Sequence, residues 1–138
     1  MYYPCYVPSA STLIFIAEPP EEKDYFGGSI NVFVCGALQN PEKMVPILGR
    51  PAAFAPAVAL GFRCSREIID GRNIPFMYPD EDAQKALMGI VWLDLLTDEL
   101  AHIRAIEMQD QLREEIIVEV LVGDHYVKSI SFIKYRRL

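Results

Sequence analysis

Hydrophobic and polar positions alternate along the chain in several distinct ways. The run Ile30-Asn-Val-Phe-Val-Cys35 is short, apolar and β-branched and ends at Gly36, which predicts a buried strand feeding a turn. Asn40-Pro41 then supplies an N-cap and a proline at the first helical position, with Glu42 in the first turn, so a short helix is expected over about 41–48, limited by Pro46 and Gly49. Residues 53–64 and 74–78 are proline-punctuated apolar runs on either side of the turn Asp70-Gly71 and read as edge or irregular strands. Ala86–Leu93 is apolar on both alternating faces, which predicts a strand buried on two sides. Thr97 is placed to cap a helix running to about Met108, with Asp98 and Glu99 in its first turn. Residues 116–122, the two-residue turn Gly123-Asp124 and residues 126–133 form the clearest signal, a β-hairpin. Strands with two short helices interposed predict an α+β fold, with a small barrel as its simplest closed form.

Proline usage divides the chain. All ten prolines fall in the first 79 residues, four of them in the first twenty. Residues 1–29 read as an N-terminal extension carrying one short strand, Thr12–Ala17, and residues 30–138 as the single domain that a chain of 138 residues accommodates. Hydrophobic residues make up 51% of the chain, which excludes a disordered tail. With 13 basic against 19 acidic residues the net charge is −6, and the basic residues are scattered apart from Lys134, Arg136 and Arg137, so nucleic acid is not an expected partner. No apolar run approaches the ~18 residues of a membrane span, and no membrane partner is expected. Three widely spaced cysteines, Cys5, Cys35 and Cys64, form no Cys-x-x-Cys pair and no even disulfide set, which suits a reducing, cytoplasmic location. His102 and His125 are isolated, so a His-based metal site would have to recruit carboxylates from far away in sequence, and no metal is expected.

One carboxylate stands out on the second helix. At ~100° per residue, with Leu100 at zero, Leu96 falls at about −40°, Ile103 at about −60°, Ile106 at about −120° and Glu107 at about −20°. Glu107 therefore sits in the apolar stripe, where burial raises a carboxyl pKa toward the range useful to a general acid/base. The alternatives are a helix that frays before Glu107 or a structural salt bridge to Arg104 or Arg113. A second candidate is the turn Cys35-Gly36-Ala37-Leu38, whose backbone N–H groups are able to converge on a carboxylate; the plain alternative is a strand-to-helix turn containing one glycine. A nucleophilic role for Cys35 at this strand end has no local histidine to support it.

These parts, in this order, resemble the γ-glutamylcyclotransferase-like family, which includes avirulence-induced proteins and γ-glutamylamine cyclotransferases. Four stretches carry the resemblance: Val32-Phe-Val-Cys-Gly-Ala-Leu-Gln-Asn-Pro41, Gly61-Phe62 with Ile74-Pro-Phe-Met-Tyr-Pro79, Leu87-Met-Gly-Ile-Val-Trp-Leu93, and Ile103-Arg-Ala-Ile-Glu107 with Leu112-Arg113 and the 116–133 hairpin. The resemblance implies a small mixed β-barrel flanked by short helices and a cavity at one end. It implies cyclisation of a γ-glutamyl amine or amide to 5-oxoproline with release of the amine, without cofactor or metal. Glu107 is then the general acid/base, and Cys35, Gly36, Ala37, Leu38 and Arg113 hold a small-molecule γ-glutamyl compound. The sequence departs from the family pattern at Cys35 (tyrosine), Ala37 (threonine or serine), Arg104 (aspartate) and Met108 (glycine), so a catalytically degenerate binding protein of the same fold is the alternative. A homodimer is allowed, and the oligomeric state is not fixed by the sequence.

Overall fold

The strand at residues 30–34 organises the molecule. The computed structural model describes residues 29–135; the expected strand Thr12–Ala17 lies outside them. Strand β1 (Ile30–Val34) is buried at every position. Ile30, Val32 and Val34 face one apolar cluster and Phe33 faces another, as the period-2 geometry of a strand requires.

The helix at the end of β1 begins and stops where local chemistry dictates. Asn40 caps α1 (Pro41–Leu48), its side-chain oxygen accepting from the Glu42 N–H at 2.9 Å, and Gly49 ends it in the left-handed conformation, φ 81°. The chain continues through β2 (Phe54–Leu60), β3 (Phe62–Ile69), β4 (Arg72–Pro79), β5 (Ala86–Leu95), α2 (Thr97–Glu107), β6 (Glu114–Val122) and β7 (His125–Ile133). Five strands close a barrel in the order β1-β5-β2-β6-β7. All its described pairings are antiparallel except β7 on β1, which is parallel. The expected α+β barrel is therefore present.

Strands β3 and β4 form a separate two-stranded arm joined by the turn Asp70-Gly71, where the sequence alone suggested edge or irregular strands. The arm is tied to the barrel by the end of β7 and the residue after it. Lys134 donates its backbone N–H to the Met77 carbonyl at 2.8 Å and its ammonium to Glu67 at 2.8 Å, while Ser131 Oγ donates to Met77 Sδ at 3.4 Å.

Two apolar clusters fill the fold. Phe33, Val91, Val118, Val120, Val127 and Ile133 are among the residues of the barrel interior. Val32, Trp92, Leu95, Met44, Leu100 and Ile103 are among those where both helices cover the barrel wall. Val91 and Trp92 bury β5 on both faces as expected, although Met88, earlier in the strand, is 74% exposed. β5 bulges at Asp94, φ 54°, whose N–H is taken by the buried Asn31 side chain.

The start of α2 differs by one residue from the expected cap. Leu96 occupies the cap position and Thr97 opens the helix, because the Glu99 carboxylate reaches back to accept the Leu96 N–H at 2.8 Å. Glu99 is buried and forms a bidentate pair with Arg50, 2.6 and 2.8 Å, that joins α2 to the end of α1. This pair holds the Glu99 carboxyl below the usual range.

Gly89 permits the closest approach in the barrel. A Cβ there would lie 2.4 Å from the Val34 carbonyl oxygen and 2.7 Å from the Phe33 ring, and its cross-strand partner is the small Ala57. Gly89→Ala is expected to destabilise the domain by about 3 kcal/mol or more, through overpacking against backbone that cannot retreat. Urea unfolding checks this; a loss within the scatter of surface substitutions would show that β1 and β5 can separate.

Candidate active site

β1 delivers its last residues to the mouth of a cavity. A 3₁₀ turn, Ala37–Gln39, follows Gly36 and is knotted by its carbonyls. Those of Cys35 and Gly36 accept from the Gln39 side chain at 2.7 and 3.2 Å. Those of Gly36 and Ala37 accept from the Gln39 and Asn40 N–H groups, and that of Leu38 accepts from the Trp92 indole at 3.0 Å. With the carbonyls drawn into the protein, the N–H groups of Gly36, Ala37 and Leu38 stay outside these bonds, which is the polarity an anion-binding turn needs. Gly36 faces the arm; a Cβ on it would sit 3.4 Å from Pro75 Cγ.

Glu107 reaches the same cavity from the other side, as the last residue of α2. Its side chain is 20% exposed. Burial raises its pKa, opposed by the Arg113 charge and reinforced by Asp110. The apolar stripe of α2 is narrower than helical geometry suggested: Leu100 and Ile103 are buried, whereas Leu96 and Ile106 are 57% and 39% exposed. Glu107 projects between the directions of the buried Leu100 and Ile103 and shares the cavity lining with Asp110 and with Pro75 of the arm. Of the two proposed salt-bridge partners, Arg104 pairs with Glu115 at 2.6 and 2.9 Å, and Arg113 lies 3.8 Å from Glu107.

Arg113 is the best-connected side chain here. It donates to Asp110 at 3.2 Å, to the Glu107 carbonyl at 3.4 Å and to the Pro75 carbonyl at 3.0 Å, and its guanidinium lies 4.4 Å from the Phe76 ring centre. The helix end, the following turn and the arm therefore meet on one cation.

The cavity has a volume of about 240 Å³, below the ~300–1,000 Å³ typical of drug-sized ligands and suited to a small molecule. Cys35, Gly36, Ala37, Leu38, Glu107 and Arg113 all line it, so the structure brings together every site residue expected from the sequence. Asp110, Pro75, Arg72 and Ser131 also line it and were not foreseen. The i,i+3 spacing of Asp110 and Arg113 was a usable signal; the others depend on where the arm folds. The acidic turn 80–82 is not part of the lining: Asp80 pairs with Arg63, and Asp80 and Asp82 cap their own turns.

The Cys35 thiol is pushed up to about 12 by burial and then by the neighbouring Cys64, through charge and hydrogen-bond interaction. This shift disfavours the thiolate that a nucleophile needs. Among the described residues no group of His, Cys, Asp and Glu is placed to hold a metal ion, and no helix is long and apolar enough to cross a membrane.

The chain thus combines a closed five-stranded barrel and a two-stranded arm with a small cavity lined by Glu107 and the turn Gly36–Leu38. AIG2-like protein B of Arabidopsis thaliana is 31% identical over 98 residues, 71% of this chain and 54% of that protein. A solution structure of another Arabidopsis thaliana protein is 27% identical with TM-score 0.63, covering 86% of this chain and 64% of that one. A structure named γ-glutamyl cyclotransferase has the same fold, TM-score 0.66 at 15% identity, covering 79% of this chain and 68% of that one. No protein-family profile matches. The chain is similar to AIG2-like proteins in sequence and shares the γ-glutamylcyclotransferase-like fold. It spans about half the length of the curated relative it matches.

The raised pKa of Glu107 makes a signed prediction. A carboxyl raised in the folded state favours folding only while protonated, so its ionisation costs stability as pH rises through the folded pKa. Glu107→Gln is therefore expected to be more stable than wild type at pH 8, with the difference vanishing below the ordinary glutamate pKa of about 4.3. Thermal melts across pH check it; a less stable Gln variant at pH 8 would mean that the Arg113 pair outweighs burial.

Proposed function

We propose that the protein cyclises a γ-glutamyl amine or amide to 5-oxoproline and releases the amine. The observation that carries this reading is that Glu107, with its raised pKa, and the turn Gly36–Leu38 line one small cavity. Glu107 takes a proton from the substrate α-ammonium, the freed amine attacks its own γ-carbonyl carbon, and the C–N bond to the leaving group breaks as Glu107 returns that proton to the departing nitrogen; the ionised Glu107 then takes the second proton from the ring nitrogen and passes it to the released amine, which leaves as an ammonium. The proton count closes and no water is consumed. The backbone N–H groups of residues 36–38 hold the substrate carboxylate, with Cys35 as adjoining wall. Arg113 orients Glu107 and keeps its pKa from rising further.

The tethered geometry explains why so small a site suffices. Nucleophile and electrophile share one molecule, so the protein folds the chain over and relays protons from the attacking to the leaving nitrogen. The existence of a γ-glutamyl cyclotransferase of like fold supports the reading.

The second reading is a ligand-binding protein without turnover. Ala37 and Cys35 favour it, since neither supplies the hydroxyl that the family pattern has at these positions.

Incubation with a panel of γ-glutamyl amines and dipeptides, assayed for 5-oxoproline, tests both. Wild type is expected to release 5-oxoproline, and Glu107→Gln to lose about 100-fold or more, the usual contribution of a general acid/base. Equal rates in the two proteins would overturn the mechanism. Thermal stabilisation by a γ-glutamyl compound without product would establish the binding reading instead.

A further inference from the structure

The cavity carries a second guanidinium that the reaction above does not use. Arg72 is the first residue of β4, directly after the turn Asp70-Gly71; it is exposed and lines the cavity. β4 runs from the cavity floor at Met77, 2% exposed, past Pro75 to the rim at Arg72. At ~3.3 Å per residue, the rim lies about 10 Å along the strand from Pro75, which faces Gly36 and holds Arg113.

The two arginines differ in availability. Arg113 is engaged by Glu107, Asp110, two backbone carbonyls and the Phe76 face. Elsewhere on the arm, Arg63 pairs with Asp80 and Arg66 donates to the Asn73 carbonyl. Arg72 has no ion pair or side-chain hydrogen bond among the described residues, and its neighbour Asp70 does not line the cavity. With the γ-glutamyl head between Glu107 and the 36–38 turn, the leaving half of the substrate points to the rim. A guanidinium fork there matches a carboxylate and repels an ammonium.

We propose that Arg72 is a specificity-determining residue that selects γ-glutamyl substrates whose leaving half carries a carboxylate, that is, γ-glutamyl amino acids over plain γ-glutamyl amines. This rests on the cyclisation reading above and adds a residue and a substrate preference to it.

The test uses γ-glutamylalanine and γ-glutamylethylamine, which differ by a single carboxylate. Wild type is expected to favour the alanine compound in kcat/KM by about fivefold, the size of a solvent-exposed ion pair, chiefly through KM. Arg72→Ala brings the ratio to about one, and Arg72→Glu inverts it. In parallel, dissociation constants of both compounds are measured by calorimetry in the Glu107→Gln background, with and without Arg72→Ala. Turnover with a ratio that Arg72→Ala does not change overturns the role of Arg72 and leaves cyclisation standing. Absence of turnover with a binding preference that Arg72→Ala abolishes supports the role of Arg72 and overturns cyclisation. If neither compound is turned over or bound, both fall.

Discussion

The guanidinium of Arg113 is the contact on which the site depends. It lies in a poorly hydrated place, its side chain 12% exposed, and is balanced there by two carboxylates, two carbonyls and an aromatic face. Each partner comes from a different part of the chain: Glu107 ends α2, Asp110 lies in the turn that follows, and Pro75 and Phe76 belong to the arm. Without this cation, the arm would lose a tether beside Gly36, and Glu107 would keep its burial without the opposing charge. The geometry and the proton affinity of the site are thus set by the same contact.

Local chemistry made much of the fold legible. Asn40-Pro41 and Gly49 fix both ends of α1, and Gly123-Asp124 fixes the register of the last hairpin, because each acts through neighbours a few residues away. The cap of α2 was misplaced by one residue because Glu99 does two jobs, accepting the Leu96 N–H and pairing with Arg50. Nothing near position 99 announces a partner 49 residues earlier. The arm is a similar case. Residues 62–79 carry strand composition, but whether they join the barrel or stand apart is decided by contacts with Lys134 and Ser131, which only the closed barrel brings near.

The candidate site was legible to a similar degree. Glu107 and the 36–38 turn could be singled out because a carboxylate among apolar helix positions and a glycine at a strand end are local anomalies. The neighbours of Glu107 on the helical wheel, Leu100 and Ile103, are buried, as the stripe implied, but which residues complete the cavity beside Glu107 was not legible, because Pro75, Met77 and the other arm residues reach the lining only in the folded chain. Arg72 went unnoticed for the same reason, since an arginine after a turn has no significance until the arm places it on a cavity wall.

The central claim is that the Glu107 carboxyl and the 36–38 N–H groups bind one small γ-glutamyl-derived molecule. Titration of the ¹⁵N-labelled protein with the product, 5-oxoproline, followed by NMR, tests it most directly. The account predicts saturable shifts at the amides of Gly36, Ala37 and Leu38 and at Glu107, with the outer face of β2 unmoved. Shifts confined to another part of the barrel, or none up to high millimolar ligand, would contradict it.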